Sequence, residues 1–490
     1  MGNQVQWAAL SHCWGSSRQG ITTAANIEDR KKKLELADLP ILYTDAIKIV
    51  RKLGIQYVWI DSLCIIQDSN PDWSSESSKM DAYYNGAYLN ISPSAASDST
   101  MGIFSTANQH RAEYRSLAKL PCSSQTKHIS GFLHLRRPGH GPLENNLSRR
   151  AWVLQETILS NRILWYDAHQ LRWNCNSSSV AETHQSDISR MDNPPQKAIF
   201  KIPIIESSST TTTHKAEGYE NSVYMDRLKA LAWWYSTLED YTNREITYPD
   251  DRFPGIAGLA KEFSRRTGYH YVCGVWREDL IQGLCWTCLG TKQQASLTSV
   301  LPSWSWASTN GIESRASFGR LFPPKRLIPG DNAELLDIAV VNEGADIYGR
   351  VKSASVTLRG SWNYMSNQNL LKPPLFITSR DTRQKYDETW SGLDRGSQHM
   401  NVDQVIYTMD APVDLHKPHD LIMSQDAICF QLAKWRHRPF LGPSNHHFMY
   451  CLILEPVDQS EELYRRTGFA EIPENLLETM QWSTGTVSII

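Results

Sequence analysis

The sequence predicts an α/β fold with a partly parallel sheet in residues 1–190, a helical middle in 191–300 and a β-rich region in 301–490. Three observations predict this fold. Strand-like and helix-like patterns alternate at the N-terminus, helical spacing prevails in the middle, and β-rich runs recur after Pro302. A chain of 490 residues is longer than most single domains, so several regions are expected.

The start of the chain has the pattern of a strand, a helix and a second strand. The apolar run WAAL at 7–10 ends in a polar loop. Helical spacing begins at Asp45, and the aromatic and β-branched run YVWI follows at 57–60. Because a helix between two parallel strands brings the loops after both strands to one edge of the sheet, we expect residues 11–15 and 61–68 to meet there.

Two further helices are predicted before residue 160. Asp72 and Glu76 have the spacing of a helix N-terminus, and the helical pattern continues until a third strand-like run begins. Ser148 is expected to cap the second helix, with Arg149 and Arg150 in its first turn. Cations in the first turn of a helix interact unfavourably with the helix dipole. Residues that are unfavourable for their local structure in this way are typical of functional positions.

The later regions continue this alternation. A run of serine and threonine predicts a flexible loop at 206–216, and helical spacing predicts helices at 224–241 and 256–263. The β-rich runs lie at 338–341, 351–358, 421–432 and 450–454. No repeat of fixed period is present, which argues against a solenoid or a propeller.

The composition excludes several classes of protein. The chain has 50 Lys and Arg against 52 Asp and Glu, so it lacks the basic excess of nucleic-acid-binding proteins. Mean hydropathy is −0.44 and no apolar run approaches the length of a membrane span, so none is expected. Nine scattered cysteines indicate a reduced, cytoplasmic protein. The 17 tryptophans are the unusual number in this composition.

The common cofactor and metal motifs are missing from the sequence. No P-loop, dinucleotide-binding, nucleophile-elbow or zinc-peptidase string occurs, so no cofactor is expected. Cys285 and Cys288 form a Cys-x-x-Cys, but no second pair lies at zinc-site spacing. We therefore interpret both cysteines as core residues and expect no metal site.

His12 and Asp61 are candidates for an acid–base pair. Each follows one of the first two strands, and a carboxylate beside the imidazole would orient the ring and raise its pKa. Cys13 is a candidate nucleophile, but neighbours on an extended segment point to opposite faces, so only one of His12 and Cys13 can face a cavity. The alternative is that Asp61 caps the next helix and His12 is a hydrogen-bonded packing residue.

Three blocks of sequence carry a resemblance to a known family. They are ALSHCWG at 9–15, YVWIDSLCIIQD at 57–68 and RAWVLQE at 150–156. In these blocks the chain resembles the fungal heterokaryon-incompatibility (HET) domain. The likeness continues at LRWNC (171–175), CGVWREDL (273–280), PSWSWA (302–307) and YRRTGF (464–469). The resemblance implies a protein of fungal non-self recognition and cell death, which would act with a protein partner.

Two features depart from the pattern of that family. Family members usually carry a long segment before the first block, whereas here the block begins within ten residues of the start, as in a truncated or a short form. The arginine that commonly follows the Gly-Ile-Phe step at 102–104 is missing, and the next arginine is Arg111. An anion-binding role of that arginine is therefore not implied for this chain.

Trp152, Gln155 and Glu156 resemble a second kind of site. Trp152 and Glu156 are four residues apart, so they share a helical face. This arrangement resembles the Trp-Cys-x-x-Glu helix of TIR domains, whose glutamate acts in NAD cleavage. The likeness implies a flavodoxin-like sheet and places Glu156 at the nicotinamide ribose. The alternative is that Glu156 pairs with Arg149 or Arg150 as a structural anchor.

Aromatic side chains are candidates for the wall of a ligand pocket. Trp304 and Trp306 lie on one face if their segment is extended. Such a wall buries much area and suits an apolar small molecule. The other candidates for substrate contact are Ser11, Trp14, Tyr84, Arg150, Trp152, Gln155 and Trp173. For each tryptophan the alternative is an ordinary place in the core.

An aromatic pocket would also suit a cofactor-free enzyme of secondary metabolism. A cyclase of the Diels–Alderase type obtains its rate mainly by holding a reactive conformer, and His12 or Asp61 could polarise a carbonyl of its substrate. This hypothesis predicts a closed, largely apolar pocket near Trp14, Trp152 and Trp173. A charged, solvent-filled cleft at the same place would favour NAD instead.

Overall fold

The computed structural model describes two compact units of the chain, Met1–Lys197 and Ala198–Ile490. The described residues are 5–15, 19–104, 118–124, 129–135, 146–168, 170–182, 199–200, 202–204, 217–289, 301–308, 315–317, 333–365, 375–376, 406–409, 426–437, 446–458 and 463–490. The loop predicted at 206–216 lies outside them. The second unit contains both the helical middle and the β-rich region.

The first unit combines strands and helices in alternation. Its strands are β1 (Trp7–Leu10), β2 (Tyr57–Trp59), β3 (Leu89–Ser92), β4 (Ala118–Ser124), β5 (Ile129–Leu135), β6 (Arg162–Tyr166), β7 (Leu171–Cys175) and β8 (Ser179–Ala181). Its helices are α1 (Ile27–Lys32), α2 (Ile41–Lys52), α3 (Asp61–Cys64), α4 (Asn70–Ser77), α5 (Met80–Gly86) and α6 (Ala151–Leu159). A short 3-10 helix lies at Leu36–Asp38.

The main sheet of the first unit is partly parallel, which confirms the predicted α/β class. Its strands have the order β2-β1-β3-β6-β7-β8. The first four strands are parallel and have the 2-1-3-4 order of a doubly wound sheet, and β7 and β8 are antiparallel. In such a sheet the chain leaves β1 and β3 in opposite directions, so a crevice forms at the carboxyl ends of these two strands.

The predicted N-terminal elements are confirmed, with one exception. β1, α2 and β2 are present, and α2 already begins at Ile41, directly after Pro40. The single helix predicted from Asp72 is wrong, because α4 and α5 are separate. The serine-rich stretch between them has low helix propensity, and α4 begins early because Ser69 accepts a hydrogen bond from the Asp72 amide at 3.4 Å.

The predicted start of α6 is also wrong. Ser148 does not cap this helix, which begins at Ala151 after Arg150, whose backbone is extended (φ −82°, ψ 132°). The Arg150 guanidinium turns back and donates to the main-chain oxygen of His12. The positive charge therefore lies just before the helix, where it is held by the loop that follows β1.

The second unit begins with helices and ends in strands. Its helices are α7 (Glu217–Thr242), α8 (Ala257–Thr267), α9 (Leu280–Gly283) and α10 (Glu474–Leu477). Its strands are β9 (Tyr271–Val272), β10 (Val275–Trp276), β11 (Thr287–Leu289), β12 (Arg315–Ser317), β13 (Glu334–Asn342), β14 (Val351–Tyr364), β15 (Leu375–Phe376), β16 (Ile406–Met409), β17 (Ile428–His437), β18 (His446–Asp458), β19 (Leu463–Pro473) and β20 (Ser483–Ile489).

These elements confirm the predicted helical middle and the β-rich region. An eight-stranded, mostly antiparallel sheet has the order β13-β14-β17-β18-β19-β16-β15, and β20 pairs with both β14 and β19. The predicted runs coincide with β13, β14, β17 and β18, although residues 421–425 lie outside the described part of the chain. None of the described helices is long and apolar enough to cross a membrane.

Aromatic side chains fill the core of the second unit. The Trp276 ring stacks on Phe263 at 4.2 Å between centroids and meets the edge of Trp234 at 5.0 Å. Trp304 and Trp306 are fully buried. The extended segment expected for them is wrong, because turns at 303–305 lead into a 3-10 helix at Trp306–Ser308.

Candidate functional site

Polar side chains are buried where β1, β2 and β3 end. Ser11 and His12 follow β1, Asp61 follows β2, and the segment after β3 carries Asp98. Ser11 and His12 are 1% and 2% exposed. The loops after β1 and β3 lie in close contact. A Cβ atom added to Gly15, whose φ is +65°, would lie 2.3 Å from the Cβ atom of Asp98, so this position requires glycine. The crevice of the sheet is thus lined by buried polar groups.

The His12 ring is fixed by a chain of hydroxyl groups. Its Nε2 lies 2.8 Å from the Tyr43 hydroxyl, which lies 2.8 Å from the hydroxyl of Ser62. The Nδ1 atom lies 3.6 Å from an Asp61 oxygen and has no hydrogen-bond partner in the described part of the chain. Burial lowers the pKa of His12, and this effect outweighs the opposite influence of Asp61. The imidazole is therefore neutral at pH 7 and able to accept a proton.

Asp61 combines the two roles that the sequence left open. It is the first residue of α3, and its carboxylate accepts a hydrogen bond from the Ser62 amide at 2.7 Å. The Trp14 indole donates to both carboxylate oxygens, at 3.2 Å and 3.0 Å. The Trp14 ring also lies nearly parallel to that of His12, with centroids 6.4 Å apart. Asp61 thus stabilises a helix start and also places a negative charge beside His12.

Cys13 faces a different set of groups from His12. Its thiol interacts with Arg150 and Glu156, whereas His12 contacts Tyr43 and Asp61. This division agrees with the opposite faces expected for neighbours on an extended segment. Burial raises the pKa of the Cys13 thiol, although Arg150 acts in the opposite direction. A protonated, buried thiol is a poor nucleophile, so the acid–base groups are the stronger candidates.

Glu156 lies on α6 and is 5% exposed. The side chains of Ser11 and Tyr84 act on its carboxyl group, and its Oε2 atom has no hydrogen-bond partner among the described residues. Burial raises its pKa to about 7, with a smaller contribution from Asp61, against the lowering effects of Ser11, Arg150 and Tyr84. A carboxyl group that is half protonated at neutral pH can serve as an acid or as a base.

The comparison with protein families finds a match in the first unit. Residues 7–156 match the family described as Heterokaryon incompatibility protein (HET). This chain carries a HET domain. All three blocks named above fall within the match, and they supply Ser11, His12, Asp61, Arg150 and Glu156. The comparison with curated proteins finds no match, and neither does the comparison with solved structures.

Four of the predicted contact residues belong to the buried cluster of the HET domain. Ser11 and Tyr84 lower the pKa of Glu156, Trp14 donates to Asp61, and Arg150 donates to the backbone of His12. The predicted catalytic residues His12, Asp61 and Glu156 also belong to this cluster. The charge of Asp61 raises the pKa of both His12 and Glu156. The predicted convergence of the three blocks is therefore visible in the geometry, while their catalytic roles stay a prediction.

The other predicted contact residues lie elsewhere in the molecule. The Trp152 ring meets Trp73 edge-on, with centroids 6.4 Å apart, and Gln155 is buried on α6. Trp173 lies on β7 and packs against the core of the sheet. Trp304 and Trp306 belong to the second unit, where each is 0% exposed. Their role in substrate contact stays a prediction.

Sequence reasoning missed four residues of the cluster. Tyr43 and Ser62 fix His12, and Asn90 and Ser160 lie beside Ser11 and Glu156. Asn90 had a visible signal, because it is an amide between two apolar residues in a short strand. Tyr43 had none, since an aromatic residue on an amphipathic helix is normally a core residue.

No candidate metal site is found among the described residues. No group of three or more metal-ligating side chains occurs in the part of the chain that the structure describes. Cys285 and Cys288 are both buried, as the core interpretation expects. Two described cavities, of about 550 and 470 Å³, lie in the second unit, the smaller one beside Lys434, Glu474 and Trp482.

Proposed function

We propose that this chain is a fungal HET protein of non-self recognition, in which the HET domain signals or executes cell death. The match of residues 7–156 to the HET family carries the proposal. The geometry supports it in one respect. The three blocks contribute to a single buried cluster, in which burial lowers the pKa of His12 and raises that of Glu156. Titratable groups perturbed in this way are typical of functional sites.

Controlled expression in a filamentous fungus tests this proposal. The full chain is placed under an inducible promoter, and growth and membrane integrity are followed after induction, with the protein level measured in the same cultures. We expect growth arrest or loss of viability that increases with the amount of protein. Normal growth in cells that contain abundant folded protein would contradict the proposal.

A second candidate function is the cleavage of NAD, which the place of Glu156 favours. The pKa of Glu156 is lowered by Ser11, which follows β1 beside the crevice where doubly wound sheets bind nucleotides. In this reaction the bond between ribose C1′ and the nicotinamide nitrogen breaks, and its electron pair leaves with nicotinamide. The Glu156 carboxylate would stabilise the cationic sugar, and water would add to C1′ and give its proton to neutral His12.

Nicotinamide release from purified protein tests the second candidate. The full chain is incubated with NAD, and free nicotinamide is quantified by chromatography. We expect release by the wild type, and a loss of at least about 100-fold in Glu156→Gln. Asp279→Asn is the matched control, because Asp279 is a carboxyl group of the second unit whose pKa burial also raises to about 7. The absence of release, or equal release by wild type and Glu156→Gln, would exclude this candidate.

The cyclase hypothesis has no comparable observation in its favour. It required a closed apolar pocket near Trp14, Trp152 and Trp173, whereas the described groups around Glu156 are polar or charged. The hypothesis therefore stays a prediction from the sequence.

A further inference from the structure

A cavity of about 470 Å³ lies in the second unit, between the eight-stranded sheet and α10. Its floor includes Ser361 of β14 and Gln431 of β17, and its wall includes Trp482 and Glu478, which directly follows α10. The volume lies within the roughly 300–1,000 Å³ of small-molecule sites, which combine apolar walls with a few polar groups. The family match at residues 7–156 does not include this part of the chain.

A β-bulge shapes the floor of this cavity. Gln431 pairs with Cys451 of β18. Lys434, three residues further along β17, pairs with Met449, which is only two residues away from Cys451 on β18. Because side chains alternate along a strand, the extra residue brings Gln431 and Lys434 to the same face, and both line the cavity. Bulges that redirect a side chain in this way are frequent beside active sites.

The charged side chains of the cavity leave one carboxylate uncompensated. The Lys434 ammonium group lies 2.6 Å from one carboxylate oxygen of Glu474, and Nδ1 of His447 lies 2.7 Å from the other. Lys434 and Glu474 therefore neutralise each other. The carboxylate of Glu478 is exposed and has no hydrogen-bond or ion-pair partner among the described residues. A ligand in the cavity would therefore meet a negative charge.

Two neutral polar side chains of the cavity are also available to a ligand. Within the described part of the chain, neither the Ser361 hydroxyl nor the Gln431 amide has a hydrogen-bond partner. Both side chains are half-buried, and each contains an oxygen that accepts a hydrogen bond. A few such polar groups in a partly apolar cavity are what orients a bound small molecule.

The remaining wall of the cavity is largely apolar. The half-buried Trp482 donates from its indole nitrogen to the main-chain oxygen of Leu477 at 3.2 Å, which fixes its ring beside the cavity. The Met449 side chain, 5% exposed, also lines the cavity. An indole ring and a thioether suit the apolar body of a ligand, and the face of an indole also attracts a cation.

We propose that this cavity binds an organic primary amine, with its ammonium group at Glu478 and its apolar body against Trp482 and Met449. An ammonium group has three N–H donors and no acceptor, so it suits a cavity whose unused groups are a carboxylate and two accepting oxygens. An anionic ligand would be repelled by Glu478, because Lys434 is already paired with Glu474. The proposal goes beyond the HET domain and depends on neither cell death nor NAD cleavage.

Three probes of similar size test the charge of the ligand. Phenethylamine, phenethyl alcohol and phenylacetate share a phenyl ring and differ in the polar group. Their binding to the full chain is measured by saturation-transfer NMR at pH 8, where an alkyl ammonium group stays charged. We expect a Kd below about 1 mM for the amine and at least about tenfold weaker binding of the other two. Equal binding of all three, tighter binding of phenylacetate or no binding of the amine would overturn the proposal.

Two glutamate variants test whether the amine binds at the cavity. Glu478→Gln removes the charge and retains the shape of the side chain, so we expect the Kd of phenethylamine to rise at least about fivefold. Glu343→Gln is the matched control, because Glu343 is also an exposed glutamate of the second unit but does not line the cavity. We expect its Kd to stay within about twofold of the wild type. Equal effects of the two variants would overturn the proposal.

Two tryptophan variants test the apolar part of the site. We expect Trp482→Leu to weaken phenethylamine binding about tenfold and Trp362→Leu to leave it nearly unchanged, since Trp362 is half-buried on β14 but does not line the cavity. If Trp482→Leu does not fold, Ser361→Leu narrows the cavity from the sheet, and we expect at least tenfold weaker binding. Wild-type affinity in folded Trp482→Leu, or in folded Ser361→Leu, would overturn the proposal.

Discussion

The two units of this protein bury very different side chains. The first unit places hydroxyl, amide, imidazole and carboxyl groups out of solvent at the ends of three parallel strands. The second unit buries indole and phenyl rings, with Trp276 stacked on Phe263 and Trp304 and Trp306 fully enclosed. Both units gain stability from the apolar area that they remove from water, and the first unit buries these polar groups in addition to its apolar core.

This difference predicts how the buried side chains of each unit contribute to stability. Buried aromatic rings contribute stability through area and packing, so their loss is expected to unfold the second unit. Buried polar groups cost free energy unless each is hydrogen-bonded, and among the described residues neither His12 Nδ1 nor Glu156 Oε2 has a hydrogen-bond partner. Buried polar groups at the edge of a parallel sheet are typical of functional sites.

The largest expected effect comes from an aromatic residue of the second unit. Trp276→Ala should lower the free energy of unfolding of that unit by about 3–5 kcal/mol, because Phe263 and Trp234 lose their shared partner. Trp152→Ala, in the HET domain, should cost about 1 kcal/mol or less, since its ring is only partly buried. Urea unfolding followed by circular dichroism measures both. Equal costs would contradict the contrast between the units.

Arg466 is a buried cation that packs against the aromatic core of the second unit. Its guanidinium lies 3.5 Å from the centre of the Trp286 ring and donates to the main-chain oxygens of Leu284 and Trp286, at 2.7 Å and 2.6 Å. Arg466→Leu leaves both oxygens without this donor and should cost about 3 kcal/mol. Arg465→Leu is the neighbouring control. Similar urea midpoints for the two variants would show that the buried contacts contribute little.

The stability of the HET domain should depend on pH through Glu156. Its pKa is raised from 4.5 to about 7 in the folded chain, so between these values the folded state holds a proton that the unfolded state has lost. Stability therefore falls as pH rises from about 4.5 to 7, by on the order of 3 kcal/mol. Glu156→Gln should remove this fall, as urea unfolding at pH 5 and pH 8 would reveal. A variant that retains the wild-type pH dependence would assign the effect to other groups.

Tyr43→Phe should have the smallest effect on stability. It removes the hydroxyl between His12 and Ser62 but retains the buried ring. We expect a cost of about 1 kcal/mol, because two buried polar atoms lose a partner. The His12 pKa should also change, which NMR titration of the ring protons can follow. An unchanged His12 titration would show that the hydroxyl does not control the imidazole.

Much of the fold is predictable because its elements are local in sequence. The apolar runs of β1 and β2 and the helical spacing of α2 indicate a strand–helix–strand unit, and its chirality brings Ser11 and Asp61 to one edge. The start of α6 could not be predicted from the local sequence. Arg150 is placed by a contact with the backbone of His12, far away in sequence, and no local capping rule contains that contact.

The candidate site was predictable only where family-like blocks mark it. His12, Asp61 and Glu156 stand in such blocks, whereas Asn90 and Tyr43 join the cluster through tertiary contacts. A short strand with an amide at its centre could have been recognised as unusual, since amides are rare inside sheets. The partners of that amide depend on which strands become neighbours, and this is a property of the whole sheet.

The central claim is that the buried carboxyl group of the HET domain serves function, while an equally perturbed carboxyl group in the second unit does not. Induced growth arrest in a fungal host tests this claim most directly, with wild type, Glu156→Gln and Asp279→Asn compared at equal protein level. Both variants remove a carboxyl group whose pKa is raised to about 7. The account predicts that cells with Glu156→Gln grow normally and that cells with Asp279→Asn stop growing as the wild type does. Arrest by folded Glu156→Gln at the wild-type level would contradict it.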